Sequence, residues 1–108
     1  MTAAYLIWKN PYMAAGNDSF INDMLERCGF KNCINKPRYP EISISELIGL
    51  NPDVVLLSSE PYPFREKHID ELKEMNPTSQ VVLVDGEMFS WYGSRLLKVA
   101  DYFNRLNL

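Results

Sequence analysis

Val54-Val55-Leu56-Leu57, entered through Asn51-Pro52-Asp53 and left through Ser58-Ser59, is the stretch on which the fold turns. The run is unbroken by polar residues, half β-branched and too short for a buried helix. It reads as a strand covered on both faces, the kind found in parallel sheets. Two further runs share its character. Ala4-Tyr5-Leu6-Ile7-Trp8 is stopped by Lys9-Asn10-Pro11, and Gln80-Val81-Val82-Leu83-Val84 is followed by Asp85-Gly86. A shorter strand is expected over residues 33–35.

The segments between these runs carry helical spacing. Phe20, Ile21, Met24, Leu25 and Cys28 fall on one face, with Asn17 or Asp18 placed to cap the helix and Gly29 to end it. Ser43-Ile44-Ser45-Glu46 matches a capping box and opens a short helix ending near Leu50. Phe64 to Met75 places Ile69, Leu72 and Met75 on one face, with the charges mostly elsewhere. A last helix is expected from about Trp91 to Leu106. The two prolines of Lys36-Pro37-Arg38-Tyr39-Pro40 make that segment a loop. The order β-α-(β)-α-β-α-β-α predicts one α/β domain over residues 1–108. It is a three-layer α/β/α sandwich on a mostly parallel sheet of about four strands.

Composition narrows the function. The 108 residues hold 11 Lys plus Arg against 14 Asp plus Glu, a formal charge of −3. The acidic balance speaks against a nucleic-acid partner, which a basic excess would announce. No apolar run approaches the roughly 20 residues that span a bilayer, so membrane insertion is not expected. Met1-Thr2 leads straight into the first strand, and no signal peptide is visible. A strand so near the start fits a whole protein, and equally a chain cut out of something larger. Cys28 and Cys33 are compatible with two partly buried thiols or, in an oxidising compartment, a disulfide. With no second ligand pair beside the cysteines and His68 the only histidine, a zinc site is not expected, and the shortage of histidine excludes most hydrolase triads.

In an open parallel sheet, ligands bind beyond the carboxyl ends of the strands. Four segments lie there: residues 8–13, 38–40, 58–64 and 85–95. All four carry aromatics, out of a total of two Trp, six Tyr and five Phe. A shared aromatic rim stiffened by proline suits a large flat ligand or a protein surface. No phosphate loop is present, and Gly16, Gly29, Gly49, Gly86 and Gly93 are scattered. Residues 13–18 lead into a helix N-terminus where an anion could rest. Asp85, Glu87 and Glu60 are the acid/base candidates and Ser58, Ser59, Ser90 and Ser94 the nearby hydroxyls. They lack a base or an elbow motif, and the expectation is a binding protein rather than an enzyme.

Taken together, Trp-Lys-Asn-Pro-Tyr-Met (8–13), Arg-Tyr-Pro with Ile-Ser (38–43), Asn-Pro-Asp-Val-Val-Leu-Leu-Ser-Ser-Glu-Pro-Tyr-Pro-Phe (51–64) and Asp-Gly-Glu-Met-Phe-Ser-Trp-Tyr-Gly-Ser-Arg (85–95) resemble the C-terminal lobe of the helical-backbone metal receptors. These are the substrate-binding proteins of ABC transporters for cobalamin, ferric siderophores and haem. The resemblance implies a Rossmann-like or flavodoxin-like lobe that faces a first lobe across a ligand cleft. It also implies an extracytoplasmic location, a permease partner and no covalently held cofactor. The transported ligand would be a corrinoid or a ferric chelate. It puts the cleft wall at Trp8, Tyr12, Tyr39, Glu60, Tyr62, Trp91, Tyr92 and Arg95. Family members often carry an acidic residue that pairs with permease arginines. At that position this sequence has Ser45, leaving Glu41 and Glu46 as the docking candidates. The first lobe and the connecting helix have no counterpart in these 108 residues. This leads to a second reading, in which the isolated or engineered half-lobe is a flavodoxin-like scaffold without ligand binding that pairs with a second copy through its exposed aromatic rim.

Overall fold

A computed structural model of the chain describes residues 1–86. The elements are β1 (Thr2–Trp8), β2 (Met13–Ala14), α1 (Phe20–Arg27), β3 (Lys31–Asn32), α2 (Ile44–Leu50), β4 (Val54–Ser58), α3 (Glu66–Met75) and β5 (Gln80–Val84). The expected helix over 91–106 lies outside the described residues.

β1 is central. It pairs in parallel with β4, Ala3 opposite Val54 through Leu6 opposite Leu57, and β4 pairs in parallel with β5. The other edge of β1 is shared by two short strands. β3 lies parallel along its start, and β2 turns back antiparallel along its end. The sheet is therefore mostly parallel with five strands, an α/β fold of the expected Rossmann-like, flavodoxin-like kind.

Side-chain alternation explains why the strands read as unbroken apolar runs. Ala3, Tyr5, Val54, Leu56 and Val84 join Met24 and Leu25 of α1 in one core cluster. Ala4, Leu6, Val55, Leu57 and Val81 join Leu47 of α2 and Leu72 of α3 in the other. β1, β4 and β5 thus pack apolar side chains on both faces of the sheet, which leaves little room for polar residues within them.

Several local expectations need correction. The cap of α1 is Ser19, whose Oγ accepts from Asn22 N at 3.1 Å, and not Asn17 or Asp18. Those two reach across to the 35–38 loop. Asn17 Nδ2 donates to Asn35 Oδ1 at 3.1 Å, and Asp18 accepts from the Arg38 amide. The loop also approaches so closely that a Cβ on Gly16 would strike the carbonyl oxygens of Lys36 and Arg38. The short strand lies at 31–32, not 33–35. After the Cys33 amide bonds Ala3 O at 2.9 Å, Asn32 Oδ1 captures the Ile34 amide at 3.1 Å and the chain leaves the sheet. Residues 13–14, read as loop, form β2. α3 begins at Glu66 rather than Phe64, because Phe64 turns into the core as its amide bonds Tyr62 O at 2.8 Å. The capping box at Ser43 and Glu46 forms as read, and Cys28 and Cys33 are half-buried free thiols.

Candidate functional site

The strand order contains a reversal. From β1 the chain passes through α1 to β3 on one side of the sheet. From β3 it returns through α2 to β4 on the other. The reversal lies between β1 and β4, and the loops leaving their carboxyl ends diverge to opposite faces. That crevice is where open α/β sheets bind ligands.

Trp8 and Tyr62 stand at this point. Trp8 closes β1 and is 39% exposed, and Tyr62 follows β4 and is half-buried. Their rings meet edge to face, with centroids 5.5 Å apart at 74°. Tyr62 then packs on Phe64 at 4.8 Å and on His68 at 5.5 Å, and Phe64 meets His68 at 5.3 Å. The exposed rim thus continues as ring contacts into the buried start of α3.

The loops are tied to the strands beneath them. Tyr62 N donates to Ile7 O at 3.4 Å, joining the loop after β4 to β1. Ser58 Oγ donates to Glu60 O at 2.5 Å, and Gly86 N donates to Ser59 Oγ at 2.9 Å. The two serines are thereby engaged in holding backbone. Gly86 has no room for a side chain, since a Cβ there would fall against Ser58 Oγ and Glu60. Glu60 is exposed, as is Asp85 at the end of β5.

Charge enters through a residue that the sequence reading quoted but did not single out. Lys9 Nζ donates to Glu71 Oε2 at 2.8 Å, bringing a cation from the β1–β2 turn onto α3. That hydrogen bond raises the Lys9 pKa and holds the Glu71 carboxyl below its ordinary range. Tyr12 is half-buried nearby, and burial pushes its hydroxyl up although Lys9 pulls it down. The signal for Lys9 was its place directly after the first strand.

The other expected site residues are less gathered. Tyr12 lines a hollow of about 370 Å³ with Glu41 and Glu46. Tyr39 is 42% exposed on the loop before α2 and makes no ring contact among the described residues. Glu46 is engaged twice, in the capping box with Ser43 and in an ion pair with Lys36 at 3.0 Å, which lowers its pKa. Glu41 is exposed, its backbone bridged to Met13. Trp91, Tyr92, Arg95, Glu87, Ser90 and Ser94 lie outside the described residues. Among the described residues, no three His, Cys, Asp or Glu side chains gather as metal ligands would. Rings and a paired cation thus stand together on this rim.

No protein-family profile and no curated protein sequence matches the chain. Solved structures do. A possible iron-binding (periplasmic solute-binding) protein from Staphylococcus epidermidis superposes with a TM-score of 0.78 at 20% identity, over 97% of this chain and 44% of that one. The periplasmic haem-binding protein HutB of Vibrio cholerae gives 0.76 at 20% identity, over 97% and 46%. The periplasmic vitamin B12-binding protein BtuF of Vibrio cholerae gives 0.66 at 13% identity, over 99% and 45%. The chain thus has the fold of one lobe of the class III periplasmic binding proteins of ABC transporters. It spans less than half the length of each of these three structures.

Proposed function

We propose that the chain is the C-terminal lobe of an extracytoplasmic ABC-transporter substrate-binding protein, one wall of a cleft for a corrinoid or a ferric chelate such as haem or a siderophore. The observation that carries this reading is the Trp8–Tyr62 edge-to-face pair at the β1/β4 reversal, beside the Lys9–Glu71 ion pair. Rings fixed on a rim offer a flat apolar surface to a macrocycle or chelate, and the nearby charges orient its polar edge. Binding, without bond-making, is the work this arrangement supports. Tyr12, Tyr39 and Glu60 extend the proposed wall, and Trp91, Tyr92 and Arg95 are its further members by the motif they form. Of the two docking candidates for a permease arginine, Glu41 is favoured, since Glu46 is already engaged by Lys36 and Ser43. Pairing with a second copy through the rim has no observation of its own in its favour.

Titration with haem, cyanocobalamin and a ferric hydroxamate, followed by Trp fluorescence and equilibrium dialysis, tests the reading. One of the three should quench and be retained weakly, because a single wall leaves much of the ligand in water. Tyr62→Ala should weaken that binding about tenfold, equivalent to about 1.4 kcal/mol. No retention of any of the three, or an affinity indifferent to Tyr62→Ala, overturns it.

A further inference from the structure

We propose that His68 is a positioning residue for the rim, pinning Tyr62 and through it Trp8, and that proton uptake on its Nδ1 withdraws the pin. The inference rests on the binding reading above for its consequence, though not for its geometry.

His68 is 3% exposed and occupies the third position of α3. Its amide donates to Arg65 O at 2.9 Å, while its Nδ1 accepts from the Arg65 amide at 2.8 Å. This is the returning half of a capping box, with an imidazole where glutamate or glutamine usually serves, while the Arg65 side chain makes no cap. An accepting Nδ1 requires the neutral ring with its proton on Nε2. The same ring meets Tyr62 at 71° and Phe64 at 85°, and Tyr62 carries the contact to Trp8. One neutral side chain therefore closes the first turn of α3 and backs the rim.

The surroundings oppose charging it. Burial lowers the His68 pKa most. Lys9 from the β1–β2 turn and Lys67 from α3 add to the lowering, against Glu71 and the contact with the Arg65 backbone. Glu71 is itself paired with Lys9, which leaves it a poor counter-ion. Tyr62, from the loop after β4, is a further titratable side chain packed on the ring. A protonated Nδ1–H would point at the Arg65 N–H, donor against donor, at the positive end of a helix. The ring must then leave its place or the first turn must open, and Tyr62 loses its backing either way. A ligand held at neutral pH would be held less well in mild acid.

The test uses all 108 residues without ligand. Because His68 is the only histidine, its imidazole resonances report one titration in a proton NMR spectrum. The midpoint should fall below the ordinary value of about 6.5. The Arg65 amide and the Trp8 indole N–H should shift with that same midpoint. His68→Gln retains an acceptor for the Arg65 amide but cannot titrate there, and should abolish the Trp8 shift. A Trp8 resonance that ignores the His68 titration, or an unchanged Trp8 shift in His68→Gln, overturns the proposal. Should His68→Gln fail to fold, the wild-type comparison of midpoints still decides. The ligand-free readout separates this result from the binding test: a chain that binds none of the three ligands can still show the coupling, and one that binds can lack it.

Discussion

The Trp8–Tyr62 contact should be worth measurable free energy before any ligand is present, and a double-mutant cycle can weigh it. Truncating a buried aromatic costs about 3–5 kcal/mol. Tyr62 is half-buried, so Tyr62→Ala should cost about 2 kcal/mol, including its packing on Phe64 and His68. Trp8 is 39% exposed and meets Tyr62 only by an edge, so Trp8→Ala should cost about 1–2 kcal/mol. Both single variants lose the edge-to-face contact, but the double variant loses it once. Its cost should therefore fall short of the sum by about 0.5–1.5 kcal/mol. Equilibrium unfolding in urea, followed by far-ultraviolet circular dichroism so that losing Trp8 does not alter the signal, measures all four proteins. With a urea slope of about 1–3 kcal/mol/M, Tyr62→Ala should lower the midpoint by about 1 M. Costs that add to within about 0.3 kcal/mol would show that the two rings do not support each other. The rim would then not be pre-built by this contact.

Three further outcomes follow from the described contacts. Gly86→Ala drives a methyl against Ser58 Oγ and Glu60 and should cost about 1–3 kcal/mol, read as a lowered calorimetric midpoint; an unchanged midpoint would mean that the loop has room to yield. Ser43→Ala removes the acceptor 3.1 Å from the Glu46 amide and should cost about 1 kcal/mol in urea unfolding, without change in the urea slope. Burial pushes the Cys33 thiol up to about 11 and raises Cys28 as well, so at pH 8 both should react slowly with a disulfide reagent in the native protein and rapidly in urea; fast native labelling of Cys33 would contradict its placement.

What the sequence disclosed, and what it withheld, follows from the range of the forces involved. β4 and β5 were legible because burial on both faces leaves no polar position inside Val54–Leu57 or Val81–Val84. α2 was legible because its capping box is closed within four residues, from Ser43 to Glu46. The cap of α1 was misplaced because Asn17 and Asp18 are good capping residues locally but serve partners 18 and 20 positions away. β2 has only two residues and takes its register from Leu6 and Trp8, so no periodicity could mark it. The site divides in the same way. Trp8 and Tyr62 each stood out as rim residues, yet their partnership depends on β1 lying beside β4, 51 residues on in register. His68 counted only as a lone histidine, because its part in the cap depends on α3 starting at Glu66, after Phe64 has turned inward.

The way the rim is anchored bears on how a half-site could work. The loop after β4 is the keystone. Its Tyr62 amide reaches Ile7 O on β1, its Ser59 amide reaches Val84 O on β5, and its Ser59 Oγ receives the Gly86 amide. Three neighbouring strand ends are therefore locked to one another. Ordering loops and side chains is a large part of what binding must overcome, and here much of that ordering is built into the fold. A wall of this kind would be limited in affinity by the area it covers rather than by the cost of arranging it. On the proposed reading, a second wall closing over the same ligand would add buried surface without requiring the first to reorganise. Affinity should then rise steeply with enclosure, while the contacts made by Trp8 and Tyr62 stay the same. If those two residues instead mattered only in an enclosed site and not in the lone lobe, the rim would have to be shaped by its partner, contrary to the hydrogen bonds that hold it.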